Sequence, residues 1–411
     1  MKTSNPKSSN TSAQAATTTS KRPLRLGGGP AGYVDNALKA VAEPFKGITA
    51  GGALVPGLFP IQKTGVPTDP IREAATEFLG SLSPEQRAKT LFPVDTVEWR
   101  KWSNIHRTLM RHGTPFFEMT DAQRDRAFVL LKETLGTQGF ETARGIIRLN
   151  ETVMEMTGRL DEYGEDLYWF SIMGTPSATE PWGWQIDGHH LNLNTFVLGD
   201  QMVMTPAFLG SEPVFAKSGK YAGTRVFKAE EEQGLAVIRA FSADQRNRAV
   251  LAPDLPREPF TTAFRDNFDL RYEGIPYDAL SSPQRDLLLR LVEVHVGRIR
   301  AGHAEIKMEE VKQHLRQTHF AWMGGVEEDS VFYYRVQSPV IIIEFDHQRG
   351  QAFPQYEKPY RDHIHVVVRT PNGNDYGKDL LRQHYEQSHH HTNPLEEVRL
   401  AHAKPQRGPV F

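Results

Sequence analysis

The chain has 411 residues, with 48 Lys plus Arg against 50 Asp plus Glu, 39% hydrophobic residues and no cysteine. That is enough chain for one large domain or two ordinary ones, and the near-zero net charge gives no electrostatic footprint for nucleic acid or an anionic membrane. Without cysteine, disulfides, thiolate nucleophiles, iron–sulfur clusters and thiolate zinc sites are excluded, so any metal must take His, Asp or Glu, and 16 histidines are present.

Residues 1–22 are rich in Ser, Thr and Asn and lack the apolar stretch of a secretory signal, so they read as a disordered tail. No apolar run reaches the length of a membrane span. The expected location is therefore cytoplasmic, with no membrane partner. Residues 23–67 are rich in Gly and Pro and read as an irregular N-terminal arm. Their GGGP run has neither the preceding strand nor the spacing of a dinucleotide-binding fingerprint.

Helix starts then recur. A Ser or Thr followed three residues later by Gln is a capping box, in which hydroxyl and amide satisfy backbone groups left open at a helix N-terminus. The pattern occurs at Ser83/Gln86, Thr120/Gln123, Ser242/Gln245 and Ser281/Gln284. Gly113-Thr-Pro-Phe and Gly274-Ile-Pro-Tyr each stand seven residues ahead of a cap. Downstream, WGWQIDGHHLNLNTF (182–196) aligns with FYYRVQSPVIIIEFD (332–346) at a shift of 150 residues. The repetition predicts an α+β protein of two pseudo-symmetric halves, 68–225 and 226–385. Each would be a helical segment followed by antiparallel strands, with 386–411 as a C-terminal tail. The His389, His390, His391 run in that tail reads as an adventitious metal-binding tract.

Side chains two apart on a strand share a face. By that rule His190, Asn192 and Asn194 line one face, with His189 turned the other way. In VIIIEFDHQ (340–348) Glu344 and Asp346 share a face, and in DHIHVVVRT (362–370) His363, His365 and Arg369 do. The connection from His347 to His363 is long enough to return the later strand antiparallel beside the earlier one. Carboxylates and imidazoles would then meet across neighbouring strands. His190, Glu344, His363 and His365 are the candidate ligands of a divalent transition metal, Fe, Cu or Zn. Salt-bridged pairs without metal are the competing reading. Asp346 is the candidate catalytic base. Arg369 is the candidate group for a substrate carboxylate. Trp184, Gln185, Asn192, Asn194 and Arg335 are candidate substrate contacts. The Asn-Gly-Asn-Asp run at 372–375 reads as a turn.

The stretches PSATEPWGWQIDGHHLNLN, IIIEFD and DHIHVVVRTPNGNDYGKDLL resemble an uncharacterised family of bacteria and fungi, a domain of unknown function, and the resemblance covers most of the chain from about residue 45 to 385. Gly-His-His-Leu is its most specific motif. The resemblance implies a complete domain but carries no activity or site residue with it.

Three classes of function remain. One is a metal-dependent oxidoreductase acting on a small organic molecule, favoured because Trp182, Trp184, Phe196, Tyr333 and Tyr334 would crowd the site and keep it dry. The second is a zinc-dependent hydrolase with a metal-activated water. The third is a non-catalytic small-ligand-binding protein. No serine elbow, P-loop or Rossmann signature competes.

Overall fold

All four Ser/Thr-x-x-Gln sequences begin helices and all four close the reciprocal capping box. The amides do a second job that explains Gln rather than Glu. Gln123 donates to Gln86 at 2.8 Å and Gln284 donates to Gln245 at 2.8 Å, so each pair of helix starts is tied by an amide–amide contact. A carboxylate could only accept there.

The computed structural model describes residues 32–105 and 110–388. The readings for the 1–22 tail, the GGGP run, the His389–His391 tract and almost all of the 386–411 tail lie outside the described residues. The described helices are α1 (Tyr33–Ala42), α2 (Asp69–Ser81), α3 (Pro84–Thr90), α4 (Asp121–Thr134), α5 (Thr137–Thr157), α6 (Lys228–Arg239), α7 (Ala243–Ala249), α8 (Ser282–Val296), α9 (His303–Gln313) and α10 (Lys378–Gln387). Helix α1 lies inside the segment expected to be irregular. Its apolar Val34, Ala37, Leu38 and Val41 recur at helical spacing within a Gly/Pro-rich context that obscured them.

The strands are β1 (Leu91–Phe92), β2 (Thr114–Pro115), β3 (Tyr168–Met173), β4 (Trp182–Gly188), β5 (Leu191–Leu198), β6 (Gln201–Val203), β7 (Ala207–Ser211), β8 (Val250–Ala252), β9 (Ile275–Pro276), β10 (His319–Gly324), β11 (Phe332–Gln337), β12 (Ile342–Arg349) and β13 (Pro359–Arg369). They form one mixed sheet in the order β1-β3-β4-β5-β7-β13-β12-β11-β10-β8, with β2 on β3, β6 on β5 and β9 on β10. The chain is thus mixed α+β around a single continuous sheet.

The two faces of that sheet differ, and the alternation rule explains how. One face carries Phe170, Trp184, Ile186, Leu193, Leu209, Val366, Ile343, Tyr334 and Trp322, all buried in one apolar cluster with residues of α2, α4, α5, α6 and α8. The other face carries the polar stripes. Paired positions run across it from Gln185↔Asn194 and Asp187↔Asn192 through Asn192↔Phe208 and Phe208↔Val367 to Val367↔Glu344 and Glu344↔Arg335.

This second face is covered mainly by irregular chain and short 3-10 turns such as Val97–Arg100, with α10 packed on Phe196. Irregular backbone brings N–H and C=O groups with no ladder partner, and burying them unpaired is costly. The stripes supply those partners. Gln185 donates to Trp99 O at 3.1 Å, Asn192 to Ser103 O at 3.2 Å and Gln337 to Leu270 O at 2.6 Å, while Asp187 accepts from Ser103 N at 3.2 Å.

Candidate metal centre

Three imidazoles meet on the polar face at the middle of the sheet. His363 and His365 stand two apart on β13, so they project to the same side. His190 comes from the two-residue turn between β4 and β5, where its φ of 61° lies in the left-handed region. The strand reading of 190–194 is corrected there, because His190 belongs to the turn and the strand begins at Leu191. A non-glycine residue held at positive φ is uncommon and recurs at functional sites. Here it points the imidazole at the other two.

The room for this meeting is made by Gly210 on β7. His365 is paired with Gly210, and Gly210 N donates to His190 O at 2.7 Å. A Cβ at position 210 would lie 2.9 Å from His365 Cδ2 and 3.1 Å from His190 Cδ2. Any side chain there would wedge the two rings apart.

The three Nε2 atoms form a near-equilateral triangle. His363–His365 is 3.1 Å, His365–His190 is 3.2 Å and His363–His190 is 3.3 Å. All three residues are buried, His363 at 0%, His190 at 5% and His365 at 6% exposure. His363 donates its Nδ1 hydrogen to Arg349 O at 2.7 Å, so its Nε2 presents a lone pair to the centre. Burial lowers the pKa of His363, opposed by the Glu212 charge, and lowers that of His365 well below the usual value, helped by its two histidine neighbours. Both shifts favour the neutral ring, the form in which imidazole binds a metal.

Glu212 stands behind the cluster, 3.7 Å from His363 Nδ1. It is held by Gln351 N, Ala352 N at 2.7 Å and the Tyr360 hydroxyl at 2.7 Å. Among the described residues, His189 stacks on His190 with centroids 3.8 Å apart, and Phe208 is edge-on to His365 at 5.0 Å. His189 turns to the helix side, where its Nδ1 pairs with Asn150 at 2.8 Å.

The other site expectations fare differently. Glu344 shares the histidines' face but not their cluster. Its carboxylate accepts from Phe260 N at 2.7 Å, Thr261 N at 2.8 Å, the Thr261 hydroxyl and the Tyr333 hydroxyl at 2.8 Å. Four donors leave it no role as a metal ligand, and it anchors the 260–261 segment instead.

Asp346 sits opposite His365 in the register but outside the group of converging ligand atoms. Burial, reinforced by the Glu344 and Glu258 charges, pushes its carboxyl well above the ordinary range.

Arg369 is fully engaged, donating to Asp375 at 2.7 Å, Asp266 at 2.7 Å and Thr261 O at 3.1 Å, so no edge of its guanidinium remains for a substrate. Arg335 pairs with Glu273 at 2.8 Å and Arg271 O. Gln185 and Asn194 bond each other at 2.6 Å, and Asn194 also holds Pro206 O, so with Asn192 they hold the irregular cover rather than a substrate. Trp184 lies on the helix side, stacked on Phe170. Trp182 and Tyr334 lie in that same core, and Phe196 packs in a separate cluster with Leu380 and Leu381. Of the five aromatics expected around the metal, Tyr333 is on the histidines' face, bonded to Glu344, and the other four pack in these apolar clusters.

Gly210, Glu212 and the Arg349 carbonyl were not legible as site elements. FLGSEP gives no sign of facing two histidines until β7 is known to pair with β13.

No curated protein and no solved structure matches the chain. The model of the family described as protein of unknown function (DUF3500) matches residues 64–378, and the chain belongs to that family.

Proposed function

We propose that the protein is a metal-dependent enzyme with one ion held by His190, His363 and His365, and that the ion activates water for hydrolysis of a small organic substrate. The observation that carries this reading is the closed triangle of three buried Nε2 atoms at 3.1–3.3 Å. Left alone, such a triangle is unfavourable, because three converging ring nitrogens cannot all be satisfied by one another. A cation among them satisfies all three at once.

The spacing also supports a tetrahedral ion over a square-planar one. Ligands about 2.0–2.1 Å from a tetrahedral ion stand roughly 3.3 Å apart, close to what is seen. Three corners of a square would set one pair about 4 Å apart, unlike the arrangement favoured by Cu(II). Non-haem iron sites of the two-histidine type need a carboxylate, and Glu344 is engaged elsewhere. Three neutral imidazoles leave the ion its full charge, and a zinc ion so held lowers the pKa of bound water to about 7. The near-complete burial of the ligands favours a second reading, a metal-dependent oxidoreductase shielding a reactive centre. Metal identity separates the two.

Glu212 is the positioning residue in this account, acting through His363. Glu212→Gln should weaken metal affinity by about 10–100-fold, the usual cost of altering an outer-shell partner. Equilibrium dialysis against a competing chelator measures it, and unchanged affinity would remove Glu212 from the account.

The same proposal extends to the origin of the sheet. The two halves are read as copies of one unit that share the sheet and meet at the β7–β13 seam. Supporting this, β1 and β8 pair parallel to β3 and β10, and β2 and β9 pair antiparallel to them. Gly113 and Gly274 take φ of 90° and 85°, each where a Cβ would strike a strand carbonyl at 2.1 Å. Only the first unit carries the histidine at its hairpin turn; position 340, the match of His190 at the 150-residue shift, is Val340. A Cα superposition of 84–211 on 243–369 that failed to overlay β3–β5 on β10–β12 would refute the duplication.

A further inference from the structure

On the helix-covered face, away from the histidines, the sheet floors a second cavity. Leu193, Ala207, Leu209, Ile341 and Val368 form its base, and the end of α8, α9 and the start of α5 form its walls. Its cavity volume is about 80 Å³, continued by an open mouth.

The lining is mainly apolar, with Thr64, Gln201, Thr205, Lys307, Thr370 and Asn374 among its polar members. Three more of its polar residues, Arg298, His295 and His303, are 3%, 2% and 5% exposed. Arg298 spends Nη2 on Glu230, while its Nε and Nη1 have no hydrogen-bond partner among the described residues. His295 Nδ1 and His303 Nε2 are likewise unpartnered. Buried polar atoms are almost always paired, and leaving a charged group's donors open is expensive. Four such atoms on residues lining one cavity mark the place of a ligand's polar head.

We propose that this cavity binds an apolar carboxylate, its chain along Leu193, Leu209, Ile341 and Val368 and its carboxylate at Arg298. Guanidinium nitrogens only donate, so the head must accept, and a carboxylate accepts most strongly. The two histidines donate or accept according to tautomer and complete the polar lining. The site lies on the opposite face of the sheet from the metal ligands and does not depend on the metal reading.

The test is calorimetric titration of the full chain with decanoate, and with decan-1-ol as the uncharged control. One decanoate should bind per chain at least tenfold more tightly than the alcohol. Because Arg298→Gln alone strands the buried Glu230 carboxylate, the double variant E230Q/R298Q replaces both charges and keeps an amide pair. It should lose at least tenfold in decanoate affinity while its alcohol affinity holds. A second variant, Ile306→Trp, narrows the cavity from a partly exposed position on α9 and should weaken both ligands. Absence of saturable decanoate binding, or equal affinity for acid and alcohol in the unaltered chain, would overturn the proposal.

Discussion

Replacing both His363 and His365 with alanine should abolish stoichiometric metal binding, with the fold retained. The expected loss is complete, because two of three ligands go and the remaining His190 offers a single nitrogen. The fold should survive because the rings contribute little to the apolar cluster on the helix side. Removing His365 also removes its buried Nδ1, which has no hydrogen-bond partner among the described residues. Metal analysis and a denaturation midpoint on the same preparation check the two halves of this expectation. A double variant that keeps one ion per chain would show that the ligands lie elsewhere.

The second large effect concerns stability, not metal. Arg369→Met should cost about 3–5 kcal/mol, the usual price of removing one partner from a buried ion network. Arg369 lies between Asp266 and Asp375, and Asp266 also accepts from Arg100 at 2.8 Å and the Tyr376 hydroxyl at 3.0 Å. Through these contacts one guanidinium ties the 261–266 segment and the 370–377 turn to β13. Taking it away strands Asp375 with Thr370 N as its remaining partner. Urea denaturation measures the loss, and a fall of less than 1 kcal/mol would mean that the network relaxes around the gap.

That contrast, between residues that build a site and residues that hold a cover, marks how far the sequence could be read. Strand alternation alone placed His363, His365, Glu344 and Asp346 on one face of neighbouring antiparallel strands, and the register pairs Asp346 with His365. The expectation that the polar stripes of the two halves should meet is what groups His190 with the two later histidines, and their Nε2 atoms are within 3.3 Å. The cap sequences located four helix starts, because a capping box is local chemistry. What alternation could not show is what covers a polar face. Gln185, Asn192, Glu344 and Arg369 look like a substrate pocket in the sequence because they are polar, buried and co-facial. They bind irregular backbone, and those partners carry no periodic signal: Trp99 is 86 residues from Gln185, and Thr261 is 83 from Glu344 and 108 from Arg369. The turn at His190 was missed for a related reason, since Gly-His-His-Leu lacks the Asn-Gly or Asp-Gly of common hairpin turns.

The central claim is that three histidines from two distant parts of the chain hold one ion. Elemental analysis of the untagged protein, purified without added metal and then loaded to saturation, tests it most directly. The account predicts one transition-metal ion per chain, with zinc retained in preference to iron or copper. One stoichiometric iron or copper ion in place of zinc would keep the centre and move its chemistry to oxidation. A chain that carries no stoichiometric metal, and takes up none when zinc, copper and iron are each supplied, would contradict the centre itself.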